Sequence, residues 1–254
     1  MEASGRTDGL KDVQELSRCA NFKEFWINVA DTDGRTSLWR ASYANNSQTV
    51  DILLKSPYID VNKASKGTGL TPLFMASQLN YADVVKKLVN HDKIDVNKAE
   101  SKFGATPLYI ASNFGLVRAV KILLNVKDIN VNQGLTTSGS TPLIAASIWG
   151  HANIVKELLA HNSIDPNILL TEPIFRENHI DTAIIAASYR NHFDLVKLLL
   201  RCHKLNMLRR DRYGKNELDY AKEKDFEDIV QAIHSRDQLM KEGDTCNNIK
   251  LFLK

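Results

Sequence analysis

The sequence predicts an all-α solenoid of stacked helix-turn-helix units joined by β-hairpin-like turns, and three observations predict it. First, Thr71-Pro72-Leu73-Phe74-Met75-Ala76-Ser77, Thr106-Pro107-Leu108-Tyr109-Ile110-Ala111-Ser112 and Thr141-Pro142-Leu143-Ile144-Ala145-Ala146-Ser147 are near copies at a fixed interval, since 106 − 71 = 35 and 141 − 106 = 35. A constant period between about 20 and 50 residues marks a stacked repeat. Second, the frame extends both ways: Thr36 opens a copy upstream, while Thr182 and Asn216 open two more downstream, for six in all. Third, the same slots hold the same side chains in every copy. Five residues after the opening position stand Ala41, Ala76, Ala111, Ala146, Ala187 and Ala221; fourteen after, Val50, Val85, Val120, Val155, Val196 and Val230; seventeen after, Leu53, Leu88, Leu123, Leu158, Leu199 and Ile233.

Residues 1–9 are small and polar and read as a disordered terminus. From Leu10 the spacing of Leu10, Val13, Leu16, Phe22, Phe25, Trp26 and Val29 suggests two short helices without the Thr-Pro start, read as an N-terminal cap over 10–30. The six repeats then occupy 31–236, at about 33–63, 68–98, 103–133, 138–168, 179–209 and 211–236, with a C-terminal tail at 237–254. Each opening Thr can cap a helix because its oxygen accepts an orphan amide of the first turn, and Pro at the next position has no amide to orphan. Asn80, Gly115, Gly150 and Asn191, nine residues on, tolerate the positive φ that ends such a helix. A second helix follows with its apolar face at Val84, Val85, Leu88 and Val89 in one copy and Ile154, Val155, Leu158 and Leu159 in another. The unit closes on Ile59-Asp60-Val61-Asn62, Ile94-Asp95-Val96-Asn97, Ile129-Asn130-Val131-Asn132 or Ile164-Asp165-Pro166-Asn167, then a polar stretch read as an extended turn. In the last copy Asp219, Glu223 and Lys224 take positions that are mostly apolar elsewhere, as a C-terminal cap requires.

Thr-Pro-Leu-x-x-Ala, the Gly-type break, Val-x-x-Leu-Leu and the Asp-Val-Asn ending together resemble the ankyrin repeat, over about residues 31 to 236. The resemblance implies an ankyrin-repeat solenoid used as a binding scaffold, without naming the partner. The period here is two residues longer than the family's usual one of about 33, an excess expected in the exposed turns.

Composition agrees with a folded chain: 43% of residues are hydrophobic and 25% charged, and the net charge of +3 is too small to imply a nucleic-acid partner. Cys19, Cys202 and Cys246 are odd in number and widely spaced, which points away from a disulfide framework and toward a reducing compartment. Met1 to Lys11 is polar, and no apolar run reaches the length of about 18 residues that spans a bilayer, so the expected location is cytoplasmic. A microbial effector delivered into a host cytosol would read the same way. The targeting part of a larger enzyme is a further alternative.

No Gly-rich phosphate loop, paired zinc histidines, CxxC pair or nucleophile elbow occurs, so neither catalysis, a small-molecule substrate, a metal nor a cofactor is expected. Cys202 beside His203 does not suffice, because adjacent helical residues point about 100° apart. His151 and His192 share one slot after the helix break and read as repeat features. The expected partner is another protein or a peptide segment. In a stack of this kind the first helices line a concave face, whose exposed slots lie four, seven and eight residues after the opening position. They hold Arg40, Tyr43, Met75, Gln78, Leu79, Ile110, Asn113, Phe114, Ile148, Trp149, Tyr189 and Arg190, a composition rich in the aromatic and Met anchors of interface centres. Trp39, Phe74 and Tyr109, three residues after the opening position, read as wedged between repeats. Two secondary candidates are Ile174 and Phe175, in an apolar insert at 168–180 where a loop is normally polar, and the basic run that includes Arg209, Arg210 and Arg212.

Overall fold

The computed structural model describes residues 26–172 and 181–241, and twelve helices lie among them in two rows. The first helices are α1 (Ser37–Tyr43), α3 (Pro72–Gln78), α5 (Pro107–Asn113), α7 (Pro142–Ile148), α9 (Ala183–Tyr189) and α11 (Glu217–Glu223). The second helices are α2 (Ser47–Leu54), α4 (Ala82–Val89), α6 (Val117–Leu124), α8 (Ala152–Leu159), α10 (Phe193–Leu200) and α12 (Glu227–Lys241). Each first helix packs on its own second helix and on the first helix of the next unit, and the second helices form a row of their own. This is the stack the period predicts.

The first helices begin where their caps dictate. The hydroxyls of Thr36, Thr71, Thr106, Thr141 and Thr182 accept the amides of Trp39, Phe74, Tyr109, Ile144 and Ile185 at 3.0–3.3 Å. Asn216 does the same for Asp219, whose carboxylate accepts the Asn216 amide in return, closing a capping box. Each first helix ends at a residue of positive φ: Asn45, Asn80, Gly115, Gly150, Asn191 and Asp225. Glycine is required at two of these. A Cβ on Gly115 would stand 2.8 Å from the His151 ring, and one on Gly150 would stand 2.8 Å from His192. Each imidazole lies against the preceding unit with Nε2 at 3.2 Å from Asn113 O or 3.3 Å from Ile148 O, where it can donate to a carbonyl that the helix end leaves orphaned.

Burial follows the repeated slots. Leu73, Ala76, Val85, Leu88, Leu108, Ala111, Val120 and Leu123 have no accessible surface, and one apolar cluster runs from Ile27 to Ile233. Full burial of each such Leu or Val is worth roughly 1.5–3 kcal/mol, so the core is a sum of like columns. A smaller cluster joins Trp39, Phe74, Met75, Ala105, Tyr109 and Ala145. The wedge role expected for Trp39, Phe74 and Tyr109 matches their burial, and the Trp39 indole donates to Leu70 O at 2.9 Å.

The turns join neighbouring units by hydrogen bonds. Each is closed like a hairpin, as by Glu100 N–H to Ala105 O (2.9 Å), although no strand forms among the described residues. Amides of each of four turns reach the preceding turn: Lys66 to Asp33 O, Ser101 to Thr68 O, Thr136 to Phe103 O and Thr171 to Ser138 O, at 2.8–2.9 Å, with Glu172 also directed at Ser138 O at 3.4 Å. A side-chain ladder runs along the opposite edge. Asn62, Asn97, Asn132 and Asn167 each donate to a carbonyl of the next unit (Lys93, Asp128, Ser163, Lys204) and accept an amide from it (Asp95, Asn130, Asp165, Asn206), at 2.7–3.0 Å.

The ends differ from the boundaries read in the sequence. Asn28 makes the same paired contacts with Tyr58 O and the Asp60 amide, and Ile27 is buried in the core, so the ladder starts inside the segment expected to be a cap. The rest of that cap, residues 10–25, and the terminus at 1–9 lie outside the described residues. At the other end α12 runs through the expected boundary at 236. It is 15 residues long against eight in the other second helices, and Arg236 is buried with its guanidinium donating to Leu200 O (2.9 Å) and Leu205 O (3.2 Å). Of the tail, residues 242–254 lie outside the described residues.

Candidate protein-binding surface

The first helices end in a row of side chains eight residues after each opening position, and three of these are large, apolar and exposed. Leu79 is 36% exposed, Phe114 54% and Trp149 52%, although each caps a well-packed helix. The reason is geometric. The capping position has left the helix and precedes the positive-φ residue, so its side chain points past the end of the core columns. The Trp149 indole reaches back one unit and donates to Asn113 Oδ1 at 3.0 Å, which ties the end of α7 to the end of α5.

The other predicted positions divide. Tyr43 is exposed and stacks on Trp39 at 5.4 Å between centroids. Arg40 is exposed and paired with the Asp31 carboxylate. That carboxyl is held below the usual range, first by the Arg35 amide and then by the Arg40 guanidinium. Gln78, Ile110, Asn113 and Tyr189 are half-buried and Arg190 is exposed. Met75 and Ile148 are not surface residues: their exposures are 6% and 3%. Met75 fills the space between the aromatics of the smaller cluster, and Ile148 belongs to the main core. Both are therefore removed from the docking surface.

Of the secondary candidates, Ile174 and Phe175 lie outside the described residues. The basic run is partly neutralised. Arg210 pairs with Asp219 (3.1 Å), Lys215 with Glu223 (2.6 Å), and Arg212 with the buried Asp181 (3.3 Å), which also accepts the Arg212 amide. The side-chain hydrogen bond to Asp181 raises the Arg212 pKa. Arg209 is exposed. Phe103 escaped the sequence reading: it sits half-exposed on a turn with the Lys102 ammonium 4.8 Å from its ring centroid, and a Phe in an otherwise polar turn was the available signal. Among the described residues no group of His, Cys, Asp and Glu could hold a metal, and no helix is long and apolar enough to cross a membrane.

Paired helices stacked through capped starts, positive-φ breaks and hydrogen-bonded turns define a helical repeat solenoid. A family model described as ankyrin repeats (3 copies) matches residues 3–100 and 94–169. The chain belongs to the ankyrin-repeat family. Solved structures similar to it include the ankyrin repeat protein EF0377 (24% identity, 77% of this chain and 94% of that one, TM-score 0.67). Others are an ankyrin repeat domain from Acinetobacter baumannii AYE (22%, 78% and 96%, 0.68) and the ankyrin repeat domain of Bcl-3, a member of the IkappaB protein family (18%, 88% and 90%, 0.70). At these identities the likeness is one of fold. No curated protein sequence matches the chain. Ankyrin repeats are generally protein–protein interaction modules and are typically non-catalytic.

Proposed function

We propose that this chain is a non-catalytic adaptor that holds a segment of another protein along the ends of its first helices and the adjoining turns, in the cytosol. The observation that carries this reading is the strip of Leu79, Phe114 and Trp149, one large apolar side chain per unit on three successive units, left in water. Exposed apolar side chains collected in one place and rimmed by polar groups mark interaction sites, and a few such anchors carry most of an interface's affinity. Half-exposed rings contribute little to the core, so they can be removed without unfolding the stack.

The test is affinity capture from cells with the wild-type chain and with a Phe114→Ala, Trp149→Ala double variant, both checked by thermal melting. The expected result is a partner retained by wild type and lost by the variant, with the melting temperatures within a few degrees. A partner held equally by both chains rules out this strip.

A further inference from the structure

This inference rests on the strip as the docking site and concerns the chemistry of what docks. Following the capping position from the second unit to the sixth, the residues are Leu79, Phe114, Trp149, Arg190 and Lys224. Polarity changes once along that line, from three apolar side chains to two cations. Arg190 is exposed and makes no ion pair among the described residues. Lys224 is exposed with its ammonium 4.1 Å from the ring centroid of Tyr189, the residue that precedes Arg190, which sets the two cations on adjoining units. Among the described residues the strip also has little opposing charge. In all six units the slots four, seven and eight residues after the opening position hold one carboxylate, Glu223, and Lys215 binds it at 2.6 Å. Among the described residues the acids closest in sequence are Asp225, at the positive-φ break after Lys224, and Asp194, in α10 beyond the break of its own unit. A basic segment would therefore desolvate Arg190 and Lys224 against like charge, whereas an acidic one would complete them.

We propose that the occupant is a peptide segment of polarised composition: apolar side chains seated on Leu79, Phe114 and Trp149, followed by carboxylates over Arg190 and Lys224. First helices that pack side by side lie about 8–10 Å apart, so an extended chain, rising about 3.3 Å per residue, offers one contact per unit at every third residue. The apolar anchors supply affinity, and the carboxylates fix the direction in which the segment lies.

The probe is a random-peptide display library selected on the immobilised full chain, with enriched peptides then titrated in solution by fluorescence polarisation. The expected peptides join aromatic or aliphatic residues to Asp or Glu on one side. Their affinity falls about tenfold or more in an Arg190→Glu, Lys224→Glu variant and weakens with added salt. An Arg190→Gln, Lys224→Gln variant, in which no charge is reversed, shows a smaller loss of the same sign. Enriched peptides that are neutral or basic, or that bind both charge variants as wild type does, overturn the acidic assignment while leaving the strip intact, provided they are lost by Phe114→Ala, Trp149→Ala. Peptides that bind that aromatic variant as tightly as wild type overturn the strip itself, as does a selection that enriches nothing.

Discussion

Six residues after each opening position, five first helices carry a serine, and four of these hydroxyls predict that the protein becomes more stable when they are deleted. Ser42, Ser77, Ser112, Ser147 and Ser188 have no accessible surface. The Ser42 hydroxyl donates to Leu38 O at 2.8 Å, but those of Ser77, Ser112, Ser147 and Ser188 find no partner among the described residues. A buried hydroxyl left unpaired costs about 1–3 kcal/mol. Replacing Ser112 by Ala removes that cost, adds a few tenths of a kcal/mol of helix propensity, and leaves a void no larger than one oxygen, which returns up to about 1 kcal/mol through lost contacts. The net expectation is about 1 kcal/mol of stabilisation for Ser112→Ala. A Ser77, Ser112, Ser147, Ser188 fourfold alanine variant should gain about 3–4 kcal/mol if the sites add. Ser42→Ala is the internal control and should be neutral or destabilising by up to about 1 kcal/mol, because there a formed bond is lost. Urea denaturation followed by far-ultraviolet circular dichroism reads the shift in midpoint. A midpoint that falls in Ser112→Ala would show that this hydroxyl bonds the carbonyl four residues back, as Ser42 does, and the reasoning from unpaired polar groups would be wrong.

Three further perturbations address the joints between units. Asn97→Ala removes a donor to Asp128 O and an acceptor for the Asn130 amide; because water can reach both groups, the loss should be about 1 kcal/mol rather than the full value of two bonds, read as a lower denaturation midpoint. Gly150→Ala forces a Cβ into a φ of +73° and against the His192 ring, which should cost about 1–2 kcal/mol for the backbone alone; a Gly150→Ala, His192→Ala double variant should recover the steric part, and equal loss in single and double variants would dismiss the contact. Glu217 is buried in α11, and its carboxyl is raised, chiefly by that burial, from 4.5 to about 7. A raised pKa means that its contribution is fully present below pH 4.5 and lost as pH rises through 7. Ionisation therefore withdraws up to about 3 kcal/mol, and Glu217→Gln should melt higher than wild type at pH 8 but not at pH 4; a pH-independent difference would contradict the shift.

The fold was legible because the signals that start and stop each helix are local. Thr71, Thr106 and Thr141 with their prolines, and the break residues Asn80, Gly115, Gly150 and Asn191, act within a few residues of their own position and reappear in the structure where the period puts them. The exposed slots were only half legible, because exposure in a stack depends on the neighbouring unit. Met75 and Arg40 occupy the same slot, yet Met75 packs with Trp39 and Tyr109 while Arg40 faces water. Charge in space differs from charge along the chain for a related reason. The run from Arg209 to Lys215 looks strongly basic in sequence, but Asp181, 31 residues upstream of Arg212, and Asp219 and Glu223 on the following helix pair with three of its four cations.

Comparing the six units within this one chain separates what the stack needs from what it presents. At the fifth position every unit has Ala, since any larger side chain would push adjoining first helices apart. At the eighth the units carry Ala44, Leu79, Phe114, Trp149, Arg190 and Lys224, six different relations to water on one backbone geometry, a capping residue at φ between −82° and −105° in every case. A position whose backbone is invariant while its side chain ranges from methyl to indole to guanidinium is not set by packing. Stability constrains the helix interiors, and the free choice left at the helix ends is where recognition of a partner can be written without cost to the core.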